Sequence, residues 1–342
     1  MRAHQKRYPP TILGIGLSLL VPAGAFFAGD VSDPSVKIPA SFFEKQSVTI
    51  AVTDSGLGGL GILAEAAARM ETAGIFEHAD FVFFNALFSN EGGYNALPST
   101  GEKVRIFNSA LEALAREVRP DLILIGCNTL SVIYPRTAFA GKTDIPVLGI
   151  VEAGTALLAE ALRRAPGSSV IVFGTPTTVG EAAYRKNLAV LGFEEGRIAA
   201  QSCPDLESFI EKDPSSDETG LVIAGYAAEA LGRLPGPKTP FSVSLNCTHY
   251  GLSLGAWEEA FAPEGARFLG ILNPNSRMLD PLFPPEKRGR YARTEVAVRV
   301  LSRVEISAEK IAAVGRVLEK TSPAAARALA AYELRPGLFD IR

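Results

Sequence analysis

Side chains able to do acid–base or nucleophilic chemistry near neutral pH are scarce here: three cysteines and three histidines (His4, His78 and His249) in 342 residues. Two of the cysteines stand in related settings. Cys127-Asn128-Thr129 follows the apolar run 122–126, and Cys247-Thr248-His249-Tyr250 follows the run 241–246. A buried cysteine alone is ordinarily inert packing. Here each thiol closes a β-rich run and precedes amide, hydroxyl or imidazole groups, and a helix N-terminus or a neighbouring histidine can acidify it. Two such thiols on opposite walls of one cleft would form a pair of proton-transfer groups. Cys203, in Ser202-Cys203-Pro204, lacks that company and reads as structural. So few histidines exclude a histidine-rich metal site, and three cysteines are too few for a disulfide scaffold.

Two further strand ends carry polar turns. Asp54-Ser55-Gly56-Leu57-Gly58-Gly59 follows the run 48–53, and Gly174-Thr175-Pro176-Thr177-Thr178 follows 170–174. Gly56, Gly58 and Gly61 fit G-x-G-x-x-G, which invites a dinucleotide reading. That reading needs an acid after the next strand, where the sequence offers Asn85-Ala86-Leu87, and Asp54 would crowd a pyrophosphate. The glycines equally suit a tight turn with no ligand, or a backbone N–H cradle for a carboxylate. The threonines could hold an anion, though simple helix capping is the commoner role.

The elements that must position these groups alternate two periods. Apolar runs at 48–53, 81–85, 122–126, 147–150, 170–174, 197–201 and 241–246 suit strands buried on both faces of a parallel sheet. Between them, helical spacing covers 60–70, 102–118, 152–164, 179–191 and 220–231, with 308–319 and 323–332 closing the chain. The fold class is therefore α/β. The echo between the two cysteine blocks predicts two pseudo-symmetric doubly wound α/β domains with the active site in the cleft between them. Residues 47–146 with 251–300 would form the first domain, 147–250 the second, and 301–342 a C-terminal helical extension. Ligands in such sheets sit beyond the carboxyl ends of the strands, where all four blocks fall.

The 34 basic and 37 acidic residues leave a net charge of −3, which offers nothing to hold a nucleic-acid backbone. Arg2, Lys6 and Arg7 precede an uncharged stretch at 11–28 that ends in small residues, the layout of a secretory signal peptide. Export to the periplasm is the expectation for 1–28, with 29–46 as a linker. An uncleaved anchor, or a misassigned start codon on a cytoplasmic enzyme, are the rival readings. The basic-rich segment 287–303 reads as solvated surface.

With these blocks in order, the chain resembles the aspartate/glutamate racemase superfamily and is most like the glutamate racemases. Asp54-Ser55-Gly56-Leu57-Gly58-Gly59 is similar to the family's opening D-S-G-x-G-G, and the two cysteine blocks match its paired cysteines. Gly174-Thr175 resembles its G-T-x-x-T stretch, and Cys203-Pro204 with Glu211 its C-P block. The resemblance implies a cofactor-independent, two-base amino-acid racemase, in which one thiolate removes the α-proton and the other thiol returns one from the opposite face. By position Asp54 would assist Cys127, and His249 supported by Glu211 would assist Cys247. Ser55, Asn128, Thr129, Thr175 and Thr248 would bind a small amino-acid substrate, with Tyr94 and Asn95 standing in for the family's Y-G. A second copy of the chain is the one macromolecular partner left open.

The departures bear on the substrate. The loop 85–95 differs from the family's G-D and P-Y-G segments, Gly251 stands where a proline is usual, and Asn273-Pro274-Asn275-Ser276 replaces a late D-S pair. Glutamate is expected ahead of aspartate, while Glu91, if turned inward, would favour a neutral or basic side chain. The competing classes are an exported binding protein and a cysteine lyase or hydrolase with His249 as base. A hydrolase has no use for a second cysteine with its own donors.

Overall fold

The computed structural model describes residues 38–341. The segment 1–28, expected to be a signal peptide, lies outside the described residues. Among the described residues, ten strands form two parallel sheets. The first contains β1 (Ser47–Asp54), β2 (His78–Asn85), β3 (Leu122–Ile125) and β4 (Val147–Gly149). The second contains β5 (Ser169–Gly174), β6 (Ile198–Ser202), β7 (Phe241–Asn246) and β8 (Phe268–Leu272). The first is completed by β9 (Glu295–Ser302) and β10 (Glu333–Leu334), giving β10-β9-β2-β1-β3-β4, while the second runs β6-β5-β7-β8.

Stripped of β9 and β10, the two sheets have one topology. In each, the order is second, first, third, fourth strand of its unit, and in each a cysteine follows the third strand. Both are doubly wound. Apolar clusters cover each face of the first sheet, one around Ile50, Val52 and Phe81 and one around Val82, Phe84 and Ile123. The second sheet is covered likewise, around Phe173 and Trp257 on one face and Val172 and Leu188 on the other. Burial on both faces explains why the central strands carry unbroken apolar runs.

Several expectations need correction. Within 251–300, assigned to the first unit, β8 pairs with β7 as the fourth strand of the second sheet. Conversely β4, placed in the second unit by a boundary at 147, pairs with β3. The basic-rich stretch is not all surface, because β9 inserts beside β2 along its whole length. Its first five residues alternate exposed and half-buried, with Glu295 and Arg299 among the exposed ones, and only Val300, Leu301 and Ser302 are buried, so charge masked a strand. Within the expected linker, Ala40–Glu44 is a helix whose Phe42 and Phe43 pack on Phe76. The helix expected over 179–191 breaks at Ala182, a left-handed residue (φ 52°) for which its side chain gives no reason.

The expected C-terminal extension is part of the first core. Helix Ala308–Thr321 packs against both helix Gly59–Ala73 and helix Leu206–Lys212, and so touches elements of both units. Its Val314 and Leu318 are buried in the cluster that holds Ile50 and Leu60. Among the described residues no helix is long and apolar enough to cross a membrane. Leu318→Ala is expected to cost about 2–5 kcal/mol in chemical denaturation, the range for emptying a close-packed leucine site. A loss under about 0.5 kcal/mol would mean that the extension is merely appended.

Candidate active site

Because both sheets are parallel, their polar turns gather at the carboxyl ends of the strands. Cys127 follows β3 at the N-cap position of helix Asn128–Ile133, and Cys247 follows β7 at the N-cap position of the 3₁₀ helix Thr248–Ser253, neither side chain making a capping bond. The two thiols, each 6% exposed, line one cleft of about 140 Å³. Asp54, Ser55, Tyr94, Asn95, Asn128, Thr129, Thr175, Glu211, Thr248 and His249 line it as well. The structure thus brings every sequence-predicted site residue to one place. All three cysteines are free, and Cys203 is fully buried away from the cleft, its thiol facing the Gln201 carbonyl.

On the Cys247 side the thiol lies 3.6 Å from His249 Nδ1, and His249 Nε2 lies 2.8 Å from Glu211 Oε1. Glu211 also accepts from the backbone N–H of Leu57 at 2.9 Å and from Lys310 Nζ at 2.6 Å. Burial alone would raise the Glu211 pKa, but the hydrogen bond and charge of His249, with Lys310, bring it down to about 2. Burial pulls His249 the other way, yet its bonds to Cys247 and Glu211 hold it well above its ordinary value. The Gly58 N–H also approaches Nε2, at 3.1 Å, and would need that nitrogen as an acceptor. The shorter contact to an ionised carboxylate selects the other arrangement, with Nε2–H donating to Glu211.

The Cys127 side is built differently. Its thiol is 3.1 Å from Ser55 Oγ. Asp54 is fully buried, and its Oδ2 accepts from Thr248 Oγ1 at 2.7 Å, which ties the end of β1 to the end of β7. Burial raises the Asp54 carboxyl despite His249 and Thr248 nearby. The Cys127 thiol is pushed well above its usual value by burial and by the Asp54 charge. Cys247 is also raised by burial, but His249 opposes the shift. One thiol is thus paired with a cation and the other with a carboxylate.

The expected substrate-binding groups divide. Asn128 Oδ1 accepts from the Tyr184 hydroxyl, leaving Nδ2 buried with no partner among the described residues, on a residue that lines the cleft. Tyr94, expected to touch substrate, is instead a core residue. Its hydroxyl donates to the Ala86 carbonyl at 3.1 Å, and its ring packs edge-on against Phe88 and Phe107. Thr175 spends its hydroxyl on Thr129 at 2.8 Å and caps the helix Pro176–Glu181 through Thr178 N. Asn95 Oδ1 accepts from Thr177 Oγ1 at 2.7 Å. These residues shape the wall and link the units. No group of three or more acidic, cysteine or histidine side chains among the described residues could hold a metal ion.

The glycine turn offers no open cradle to a phosphate or a substrate carboxylate, because its Leu57 N–H donates to Glu211 and its Gly58 N–H faces the His249 ring at 3.1 Å. Its glycines exist for close approach. A Cβ on Gly58 would press on Thr248 Oγ1 and lie 2.7 Å from His249 N, whereas one on Gly61 would meet nothing nearer than 3.8 Å. Sequence reasoning missed Lys310, Glu207, Ser208, Ser89 and Asn90, which also line the cleft. Nothing local marks Lys310, which sits on a helix 60 residues beyond the second cysteine block, whereas Ser89 and Asn90 lie in the loop 85–95 and Glu207 and Ser208 between Cys203 and Glu211. Gly58→Ala is expected to destabilise by about 1–3 kcal/mol through overpacking. Gly61→Ala should be neutral or stabilising, because alanine suits an open helical position better. Equal denaturation midpoints for the two variants would remove the close-approach argument.

Comparison with known proteins agrees with this geometry. Residues 89–262 match the family described as Asp/Glu/Hydantoin racemase, a span that holds both cleft cysteines. The glutamate racemase of Aquifex pyrophilus is 28% identical over 206 residues, covering 59% of this chain and 71% of the relative. That of Streptococcus gordonii is 27% identical over 217 residues, covering 63% and 74%. Among solved structures, a Bacillus anthracis glutamate racemase isoform superposes with a TM-score of 0.60 at 21% identity, over 81% of this chain and 94% of that one. The Francisella tularensis glutamate racemase in complex with D-glutamate gives 0.59 at 20%, over 80% and 95%. Those structural likenesses concern the fold, while the matched sequence spans half of the chain and carries both thiols. The chain belongs to the Asp/Glu/Hydantoin racemase family.

Proposed function

We propose that the protein is a cofactor-independent two-base racemase of an α-amino acid, with Cys127 and Cys247 as the proton-transfer groups. The observation that carries this reading is the pair of thiols that close equivalent strands of two like-ordered sheets and line one cleft. Inversion at Cα passes through a planar carbanionic species, so one face needs a base and the other an acid. One thiolate takes the α-proton, the electron pair spreads into the carboxylate, and the opposite thiol gives its proton to the other face. The thiol and thiolate have then exchanged places. Each thiol has its own route to the reactive form. His249, held protonated by Glu211, stabilises a Cys247 thiolate. At Cys127 the Ser55 hydroxyl donates, and Asp54, raised by burial, can take the thiol proton. Asn128 Nδ2 offers a neutral donor to the charge that develops on the substrate carboxylate.

Glutamate is the first substrate to try, supported by the relatives' activity. A second reading rests on Glu207. Its Oε2 is buried with no hydrogen-bond partner among the described residues, and the residue lines the cleft. An unpaired carboxylate oxygen there repels a second carboxylate and suits a side chain that donates or carries positive charge. The altered loop at Ser89 and Asn90 adds neutral groups to the same wall.

Cys127→Ala and Cys247→Ala are each expected to lower racemisation by at least about 10³-fold, since neither face can be served by the other thiol. Cys127→Ser and Cys247→Ser should each retain α-proton exchange on one enantiomer only, and on opposite enantiomers. Racemisation at the wild-type rate in either alanine variant would end the two-base reading. Single L- and D-amino acids in deuterated water, followed by α-deuterium uptake, identify the substrate. Uptake into glutamate supports the acidic assignment, whereas uptake into basic or neutral amino acids alone selects the Glu207 reading.

A further inference from the structure

The Cys247 half of the site does not end at Glu211. Glu211 Oε1 faces His249, and its Oε2 accepts from Lys310 Nζ at 2.6 Å. Lys310 lies in the first turn of helix Ala308–Thr321, which Ser307 caps by accepting from the Lys310 N–H, and which is outside the residues 89–262 matched by the family. That helix packs on helix Leu206–Lys212, which carries Glu211, and on helix Gly59–Ala73 below the glycine turn. Glu211 is 6% exposed, whereas the Lys310 side chain is 39% exposed and borders the cleft.

A carboxylate between two donors is held in one rotamer and at one azimuth. Lys310 fixes Oε2, so Oε1 stays on the line to His249 and to the Leu57 N–H. Charge then alternates along four side chains: ammonium, carboxylate, imidazolium, and a thiolate when Cys247 is ionised. Without the ammonium, the same cluster with a thiolate carries one net negative charge. The other titratable groups facing it are Glu207, one turn before Glu211, Asp54 across the cleft, and the buried Tyr250 and Cys203 on the Cys247 side. None can replace the lost cation.

We propose that Lys310 is a positioning residue of the racemase site, supplied by the C-terminal helix, which orients Glu211 toward His249 and so keeps Cys247 able to ionise. The role in catalysis rests on the two-base reading above, whereas the role in thiol ionisation does not. It also gives the C-terminal segment a function besides packing: the segment completes one of the two acid–base groups.

The test uses the full chain with Cys127→Ser as background, which leaves Cys247 as the one thiol lining the cleft, and follows its alkylation by iodoacetamide against pH. Lys310→Met is expected to move the alkylation midpoint up by about one pH unit, the order of magnitude for losing one charge several ångströms away at an intermediate dielectric. Lys310→Arg should restore it. In the otherwise wild-type enzyme, Lys310→Met should lower kcat near neutral pH about tenfold with KM within about threefold, because the thiolate fraction falls with the shift. The acidic limb of its pH profile, which rises as Cys247 ionises to act as base, should move up by the same amount. An unmoved midpoint in Lys310→Met overturns the proposal. So does a rise in KM with unchanged kcat, which would make Lys310 a substrate ligand. A shifted midpoint in a protein that exchanges no amino-acid α-proton would leave this inference standing and remove the racemase reading instead.

Discussion

The Glu211 carboxylate is the point at which three separate parts of the chain meet. It is nearly buried, and it accepts from the glycine turn after β1, from the imidazole after β7 and from the C-terminal helix. A carboxylate this deep would be neutral without partners, and removing one partner of a buried ion pair is far more costly than the pair is stabilising. Its position therefore constrains the turn, the imidazole and the last helix together. The bare glycines follow from that constraint, since a Cβ on Gly56 would lie 2.8 Å from Glu211 Oε1. What looks like a nucleotide-binding fingerprint is a surface shaved to admit a carboxylate and an imidazole from the other sheet.

Around this point the scaffold is nearly symmetric and the chemistry is not. Both sheets place a cysteine after their third strand, at the start of a short helical segment. Backbone geometry thus treats the two thiols alike. Their neighbours differ, with Ser55 and a raised Asp54 at Cys127, and His249 with an ionised Glu211 at Cys247. Two-base inversion needs equivalence of position, not of environment. Each thiol has only to reach thiolate by some local means, and the low-dielectric cleft makes those means effective. The Asp54–Thr248 bond joins the two halves directly, so the carboxylate beside one thiol is oriented by the block that carries the other.

The sequence resolved some of this and missed the rest for physical reasons. The central strands were legible because burial on both faces demands apolar runs, and those runs ended at the polar blocks. β8 was not, being an edge strand with Gly270 at φ 129° and a register shift near Phe241 and Ser242. β9 was hidden by Glu295 and Arg299 on a strand whose outer half faces water. Tyr94 lay within the right loop, yet an aromatic ring with a hydroxyl serves a core and a ligand equally well on paper. Only the Ala86 carbonyl and the rings of Phe88 and Phe107 assign it to the core.

By itself the sequence determined the α/β class, the repeated cysteine block and the set of side chains that converge on the cleft, because strand periodicity and parallel topology send every strand-end turn to the same edge. Tertiary structure alone decided which of those groups are already spent. Hydrogen-bond partners are set by approach across tens or hundreds of residues, as with Leu57 and Glu211 or Glu211 and Lys310, and no local pattern records such distances. It also decided that a helix beyond the last motif belongs to the site. That outcome follows from the packing of Val314 and Leu318 into the first core, which carries Lys310 to the cleft.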